Sequence, residues 1–331
     1  MTRQSPCRWA LVGVFLLAVA VRFYHINVPY VETYNSIGRQ SIVASVARNF
    51  YQRSMNFFYP QVDENGKGPY LYNAEMPIYS YLMALAYHVV GGPVEGAART
   101  VNVLFSLGTL LFLMLLAKDL YGPRGQLAAL MFAAFSPLNV AISRSIQPES
   151  LMVCAFTGAV YLYHRHLRSG RPAPYVASLL LMFVAVATKF INLYMCLPVM
   201  YLVWRRRGRE VYKDRALWVY LLISMTALIW YVAMWVQGQT QDLVYSPYTY
   251  VAERGGEGMS FVRTLLHWPF LRSTLKILLF HVLTPAGAVF FVLGMLPQKI
   301  RREDGVVWVW LFATVLFYLL MWRTLIQHPY Y

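Results

Sequence analysis

The chain has 331 residues, of which 58% are hydrophobic, 16% aromatic and only 13% charged, with a formal net charge of +15. Soluble domains carry roughly a quarter charged residues, so an ordinary water-soluble fold is excluded. Apolar runs of about 15 to 21 residues recur along most of the length and point to a polytopic α-helical membrane protein. The basic residues concentrate in short loops between those runs, which is the positive-inside pattern and not that of a nucleic-acid surface. Cys7, Cys154 and Cys196 lie in or beside apolar segments with no paired spacing, which argues against a disulfide framework or a zinc site.

In chain order, residues 9–21 form the first apolar run. Its Ala-Val-Ala exit resembles a signal-peptide core, but the many later runs favour an uncleaved first helix. Residues 36–54 place Ile42, Val43, Val46 and Phe50 at helical spacing, with Arg39, Arg48, Asn49 and Arg53 mostly elsewhere. That pattern predicts a helix lying at headgroup level. An aromatic, Pro- and Gly-rich stretch follows, and then "AEMP", with Glu75 just before Met76 and Pro77.

Three loops are densely basic: 165–173, 205–215 and 297–304. Placing all three in the cytoplasm together with the N-terminus fixes the topology. The apolar stretch 174–204 must then be two short helices turning at Lys189, because one long helix would put its flanking basic loops on opposite faces. Residues 76–92 must lie in the outer leaflet without crossing it, or every loop up to 173 would flip. About nine spans result, near 8–23, 98–117, 125–143, 149–164, 174–188, 190–204, 216–236, 273–296 and 306–323. The expected fold is an all-α transmembrane bundle, a single domain over 1–331, with interfacial helices in the first outer loop. The large outer loops are 24–97 and 237–272.

Glu32 and Glu75 stand at the two ends of the first outer loop, each at the mouth of an apolar element. A carboxylate at that depth loses solvation and becomes a suitable proton acceptor for an acceptor hydroxyl. Alternatively the pair supplies oxygen ligands to a divalent metal ion, or the two residues are helix caps or interfacial salt bridges. Arg39 is a candidate for binding a lipid phosphate, or it snorkels from its helix. Lys189, an isolated cation inside an apolar run, is unusual, because intramembrane charges are costly. Arg144 and Glu149 flank Pro148 and suit a salt bridge or cap. The triplet Arg205–Arg207 reads as a topological signal. "GGPVEGAA" and "RGGEG" lack a preceding strand and following helix, so neither is a phosphate loop.

Several stretches together resemble the GT-C membrane glycosyltransferases, and within them the group related to protein O-mannosyltransferases and lipid A aminoarabinose transferases (glycosyltransferase family 39-like). These are "YVETYN-SIGRQ", "SVARNFY", "FYPQVD", "AEMPIYSYLMALAYHVVGG", "FSPLNVAISRSIQPESLM", "ATKF" and the terminal "HPYY". The resemblance implies an inverting enzyme that takes a sugar from a polyprenyl-phosphate donor at the extracytoplasmic face of a bacterial-type inner membrane and passes it to a lipid, glycan or protein acceptor. It places Glu32 where the family has its catalytic acid, although here the pair is Glu-Thr. It places Glu75 at an acid that in some members helps hold a metal, with Glu32 as the other candidate ligand. It matches Lys189 to a lysine that is a candidate donor-phosphate ligand, with Arg39 as the other candidate, and Tyr34, Glu149, His328, Tyr330 and Tyr331 are candidates for the substrate pocket. Related enzymes usually continue past this point, so a chain lacking a C-terminal part is expected. The competing expectations are a transporter or flippase for lipid-linked sugars, which needs ionisable residues through the bundle and often inverted repeats, and a non-catalytic assembly subunit.

Overall fold

A computed structural model describes residues 5–27, 37–64, 67–72, 74–240, 244–245, 268–295 and 304–320. The first helix, α1 (Ser5–Phe23), packs along α4 (Glu95–Phe135). Between them lie α2 (Ile37–Gln52), the hairpin strands β1 (Gln61–Glu64) and β2 (Lys67–Tyr72), and α3 (Ile78–Val90).

The expected helix over 36–54 is α2, but its apolar side does not lie on lipid. Val43 packs with Tyr79, Met83 and Ile146, and Val46 and Phe50 pack with Val62, Tyr72 and Ala84. The helix is clamped between α3 and the hairpin, because those two elements supply an apolar surface that single-sequence periodicity cannot distinguish from a membrane. At 13 residues α3 is about 20 Å long, too short to span a hydrocarbon core. The hairpin is an addition to the all-helical expectation. It pairs Gln61 with Leu71 and Val62 with Tyr70, and β3 (Val244–Tyr245) joins β2 in parallel, so the two large loops meet in one sheet.

α4 is broken at Gly122, whose φ of 75° and ψ of −168° leave the helical region. Glycine tolerates that backbone, and the following Pro123 disfavours helical geometry at the residue before it. The arms fold back on each other. Arg22 of α1, wholly buried, donates from Nε to Ser106 Oγ at 3.0 Å and from Nη1 to the carbonyl of Ala134 at 3.0 Å. A straight helix would hold residues 106 and 134 about 42 Å apart. The short α5 (Pro137–Ser143) then leads to a loop that Asn102 fastens by donating to the carbonyls of Ile142, at 2.7 Å, and Ser145, at 2.8 Å.

The main core lies between α6 (Glu149–Ser169) and α7 (Pro172–Thr188), where Ala155, Ala159, Met182, Ala185 and Val186 interdigitate. At Lys189 the backbone is extended, with φ −149° and ψ 113°, and after a 3-10 turn α8 (Cys196–Arg207) returns toward the start of α7. Arg206 of α8 donates to the carbonyl of Leu167 at 3.2 Å, so the loops 165–173 and 205–215 share one end of the bundle, as the turn at Lys189 requires. Asp119, beside the break in α4, faces Arg165 and Arg168 at that same end.

The chain continues through α9 (Arg215–Thr226) and α10 (Leu228–Thr240), and later through α11 (Trp268–Lys276), α12 (Pro285–Met295) and α13 (Gly305–Leu320). By length and composition, 95–135 and 215–237 are apolar enough to cross a membrane. The pair 274–282 and 285–294 would be a third if counted together. The nine crossings expected from sequence are not established by this criterion, since several apolar helices have only 10–17 residues. The expected single span 273–296 is bent by 97°, where Thr284 takes a φ of 63° ahead of Pro285. Asn102→Ala would leave two carbonyls without their donor. It is expected to lower unfolding stability by about 2 kcal/mol, measured by thermal or denaturant unfolding of the purified protein in detergent.

Candidate active site

At the end of α6 and α7 remote from the basic loops, four charged side chains meet. Arg39, on the first turn of α2, donates from Nη2 to Glu75 Oε1 at 2.6 Å and from Nη1 to the phenol of Tyr72 at 3.3 Å. Lys189, at the α7 break, donates from Nζ to Glu149 Oε1 at 2.7 Å. The pairs are coupled, because Arg39 also acts electrostatically on Glu149. The order is thus carboxylate, guanidinium, carboxylate, ammonium. Alternation of sign is what allows all four to stay out of water, since a buried charge without a partner is strongly unfavourable. Glu149, Glu75 and Lys189 are 6%, 7% and 9% exposed.

Each member is held by backbone anchors. The amide of Met76 donates to the carbonyl of Ala187 at 3.1 Å, locking the residue after Glu75 to the last turn of α7. Tyr231 of α10 donates its hydroxyl to that same carbonyl at 2.8 Å. Asn192 closes the Lys189 turn by donating to the carbonyls of Ala185 and Lys189. Gln40, the neighbour of Arg39, accepts from the amide of Ile146 at 3.0 Å and so fixes the loop that delivers Glu149. Adjacent residues of α2 therefore hold the two acidic segments. Phe57 and Trp230 bring their rings to 5.9 Å and Phe57 and Tyr81 to 5.4 Å, so the segment after α2 packs on both α3 and α10.

Of the residues expected from sequence, the structure brings together Glu75, Arg39, Lys189 and Glu149. Glu149 pairs with Lys189 and not with Arg144, whose contact is the carbonyl of His25 at 3.5 Å. Glu32, Tyr34, His328, Tyr330 and Tyr331 lie outside the described residues. The residues that sequence reasoning missed are Gln40, Tyr72, Tyr231 and Gln147. Gln147 is wholly buried, and its amide and Glu149 Oε2 have no hydrogen-bond partner among the described residues. A signal was available for Gln40 and Gln147, since an amide amid apolar neighbours in a membrane chain is costly unless engaged. Among the described residues no three His, Cys, Asp or Glu converge as a metal would require. Of the expected metal pair only Glu75 is described, and the Arg39 guanidinium occupies one of its oxygens.

Known proteins resemble this chain in sequence over part of its length and in fold over most of it. Residues 74–235 match the family described as dolichyl-phosphate-mannose-protein mannosyltransferase. A putative mannosyltransferase of Bacillus subtilis, YkcB, is 24% identical over 187 residues, which is 56% of this chain and 25% of that protein. ArnT from Cupriavidus metallidurans superposes in its apo crystal structure over 96% of this chain and 60% of its own, with a TM-score of 0.58 and 15% identity. Its complex with undecaprenyl phosphate superposes over 95% of this chain and 56% of its own, with a TM-score of 0.61 and 18% identity. Just under half of the chain thus matches that mannosyltransferase family, and the fold is similar to that of ArnT. The chain spans a quarter of the curated relative it matches and little more than half of the ArnT chains.

Within the cluster each cation is held in place by its own carboxylate. The coupling of its members is measurable. Lys189→Met strands Glu149 and is expected to cost about 3–5 kcal/mol of unfolding stability. Glu149→Gln in the same chain should recover much of that loss. A single Lys189→Met variant as stable as the parent would mean that the pair is not buried.

Proposed function

We propose that the chain transfers a sugar from a polyprenyl-phosphate-linked donor to a lipid, glycan or protein acceptor on the extracytoplasmic face of a bacterial-type inner membrane, inverting the anomeric centre. The observation that carries this reading is the alternating cluster of Glu75, Arg39, Glu149 and Lys189, placed in a GT-C fold at the end opposite the basic loops. With those loops in the cytoplasm, the cluster faces the other side. The solved ArnT complex contains undecaprenyl phosphate, which supports a carrier lipid of that chemical kind here.

In the proposed reaction the acceptor oxygen or nitrogen attacks the anomeric carbon, the bond from that carbon to the phosphate oxygen breaks, and the electron pair leaves with the polyprenyl phosphate. Glu32 takes the acceptor proton. Arg39 and Lys189 turn from their carboxylate partners toward the phosphate oxygens, where charge-assisted hydrogen bonds stabilise the departing anion. Glu75 and Glu149 keep the two cations oriented until the donor binds. Tyr34, His328, Tyr330 and Tyr331 complete the sugar pocket. A divalent cation held by Glu32 and Glu75 would add positive charge near the phosphate. The Arg39 guanidinium already meets Glu75 at 2.6 Å, so such a cation would have to share that carboxylate.

The test supplies purified protein with polyprenyl-phosphate sugars and an acceptor extract and follows transfer of labelled sugar. Glu32→Gln is expected to lower the rate by about 10²- to 10⁴-fold, and undiminished transfer would remove Glu32 from the chemistry. Lys189→Ala is expected to weaken retention of the donor lipid, and unaltered affinity would count against a phosphate contact there. Movement of the labelled lipid across liposomes without transfer would favour the flippase reading instead.

A further inference from the structure

The basic end of the bundle presents more positive charge than its own acids engage. Asp119 lies between Arg165 and Arg168, Asp214 takes Arg207 at 3.0 Å, and Glu210 takes Lys213 at 2.8 Å. Arg205, Arg209 and Arg215 are exposed and have no ion pair among the described residues. They are not on a slack loop. Residues Gly208–Lys213 form a 3-10 turn between α8 and α9. Trp218 fastens it by donating from Nε1 to the carbonyl of Tyr212 at 2.7 Å, and Asp214 caps α9 by accepting from the amide of Leu217. The hydroxyl of Tyr175 on α7 donates to the carbonyl of Ala216 at 2.8 Å, tying the segment to the bundle. Trp204, Tyr212 and Trp218 are exposed beside these arginines.

We propose that this surface, formed by Arg205, Arg209 and Arg215 with Trp204, Tyr212 and Trp218, binds the headgroups of anionic phospholipids. Topology alone calls for positive charge and does not require it to be presented on a braced turn flanked by indole and phenol rings. Exposed indole and phenol rings favour the depth at which headgroups lie. Exposed guanidiniums close in sequence to those rings, with no ion pair among the described residues, match phosphodiester oxygens in geometry and charge. The surface is separated from the cluster around Lys189 by the length of α6, about 30 Å for its 21 residues, so it stands independently of the transfer reading.

The experiment uses the full chain purified in a neutral detergent. Thermal unfolding is followed by intrinsic fluorescence while phosphatidylglycerol, phosphatidylcholine or inorganic phosphate is titrated in. Phosphatidylglycerol is expected to raise the midpoint, whereas phosphatidylcholine and free phosphate leave it in place. The combined Arg205→Gln, Arg209→Gln and Arg215→Gln variant should bind phosphatidylglycerol about a hundredfold more weakly, from about 1 kcal/mol per basic residue. Equal shifts with both lipids, or a full phosphatidylglycerol response in the triple variant, would overturn the proposal. Should that variant fail to fold, native mass spectrometry of the parent chain gives the same decision. Preferential retention of phosphatidylglycerol that is lost at high salt supports the site, and indiscriminate retention overturns it.

Discussion

Charge neutrality at short range is the constraint on which the candidate site depends. Two carboxylates and two cations lie almost entirely out of water where α2, α3, α6 and α7 meet, and no one of them could remain there alone. The desolvation penalty is offset only because the signs alternate and the contacts are short, 2.6 Å and 2.7 Å. That requirement sets how closely the surrounding elements must be positioned. A shift of α2 relative to the 74–76 segment by about one ångström would lengthen the Arg39–Glu75 bond and leave charge without its partner in apolar surroundings.

The scaffold answers that requirement with polar side chains that bond to backbone instead of to one another. Asn102, Gln40, Asn192 and Tyr231 each fasten a carbonyl or amide within a few residues of a charged member. Arg22 performs the same service for the bundle, bringing both arms of α4 onto α1 through a hydroxyl and carbonyls alone. In a chain with so little water around its helices, such buried bonds fix geometry that apolar packing by itself leaves adaptable. The result is a polar cluster at one end and a basic, aromatic surface at the other, joined by the α6–α7 core.

Much of the helical layout was legible in the sequence. The α2 and α3 segments, the turn at Lys189 and the common end for the loops 165–173 and 205–215 follow from periodicity and from the placement of basic residues. The hairpin was not read, although "VDENGKG" carries an Asn-Gly turn signal, because aromatic and proline residues around it mask the alternation of its strands. The burial of α2 was misjudged because an apolar stripe has the same appearance whether it meets lipid or protein. The bend within the span expected over 273–296 was not read for a different reason. Hydropathy averages over a window and does not register a bend of 97° at Thr284.

By itself the sequence determined which segments are apolar enough to be helices in or against a membrane, that the stretch 174–204 breaks at Lys189, and which acids and bases stand in otherwise apolar surroundings. Only the tertiary structure decided which charge meets which. Glu149 lies 40 residues from Lys189 and Arg39 36 residues from Glu75. Local pattern encodes how a side chain faces its own helix, but pairing over that separation depends on how α6 packs on α7 and how α2 is clamped between α3 and the hairpin, and that follows from the shapes of surfaces that only come together in the folded chain.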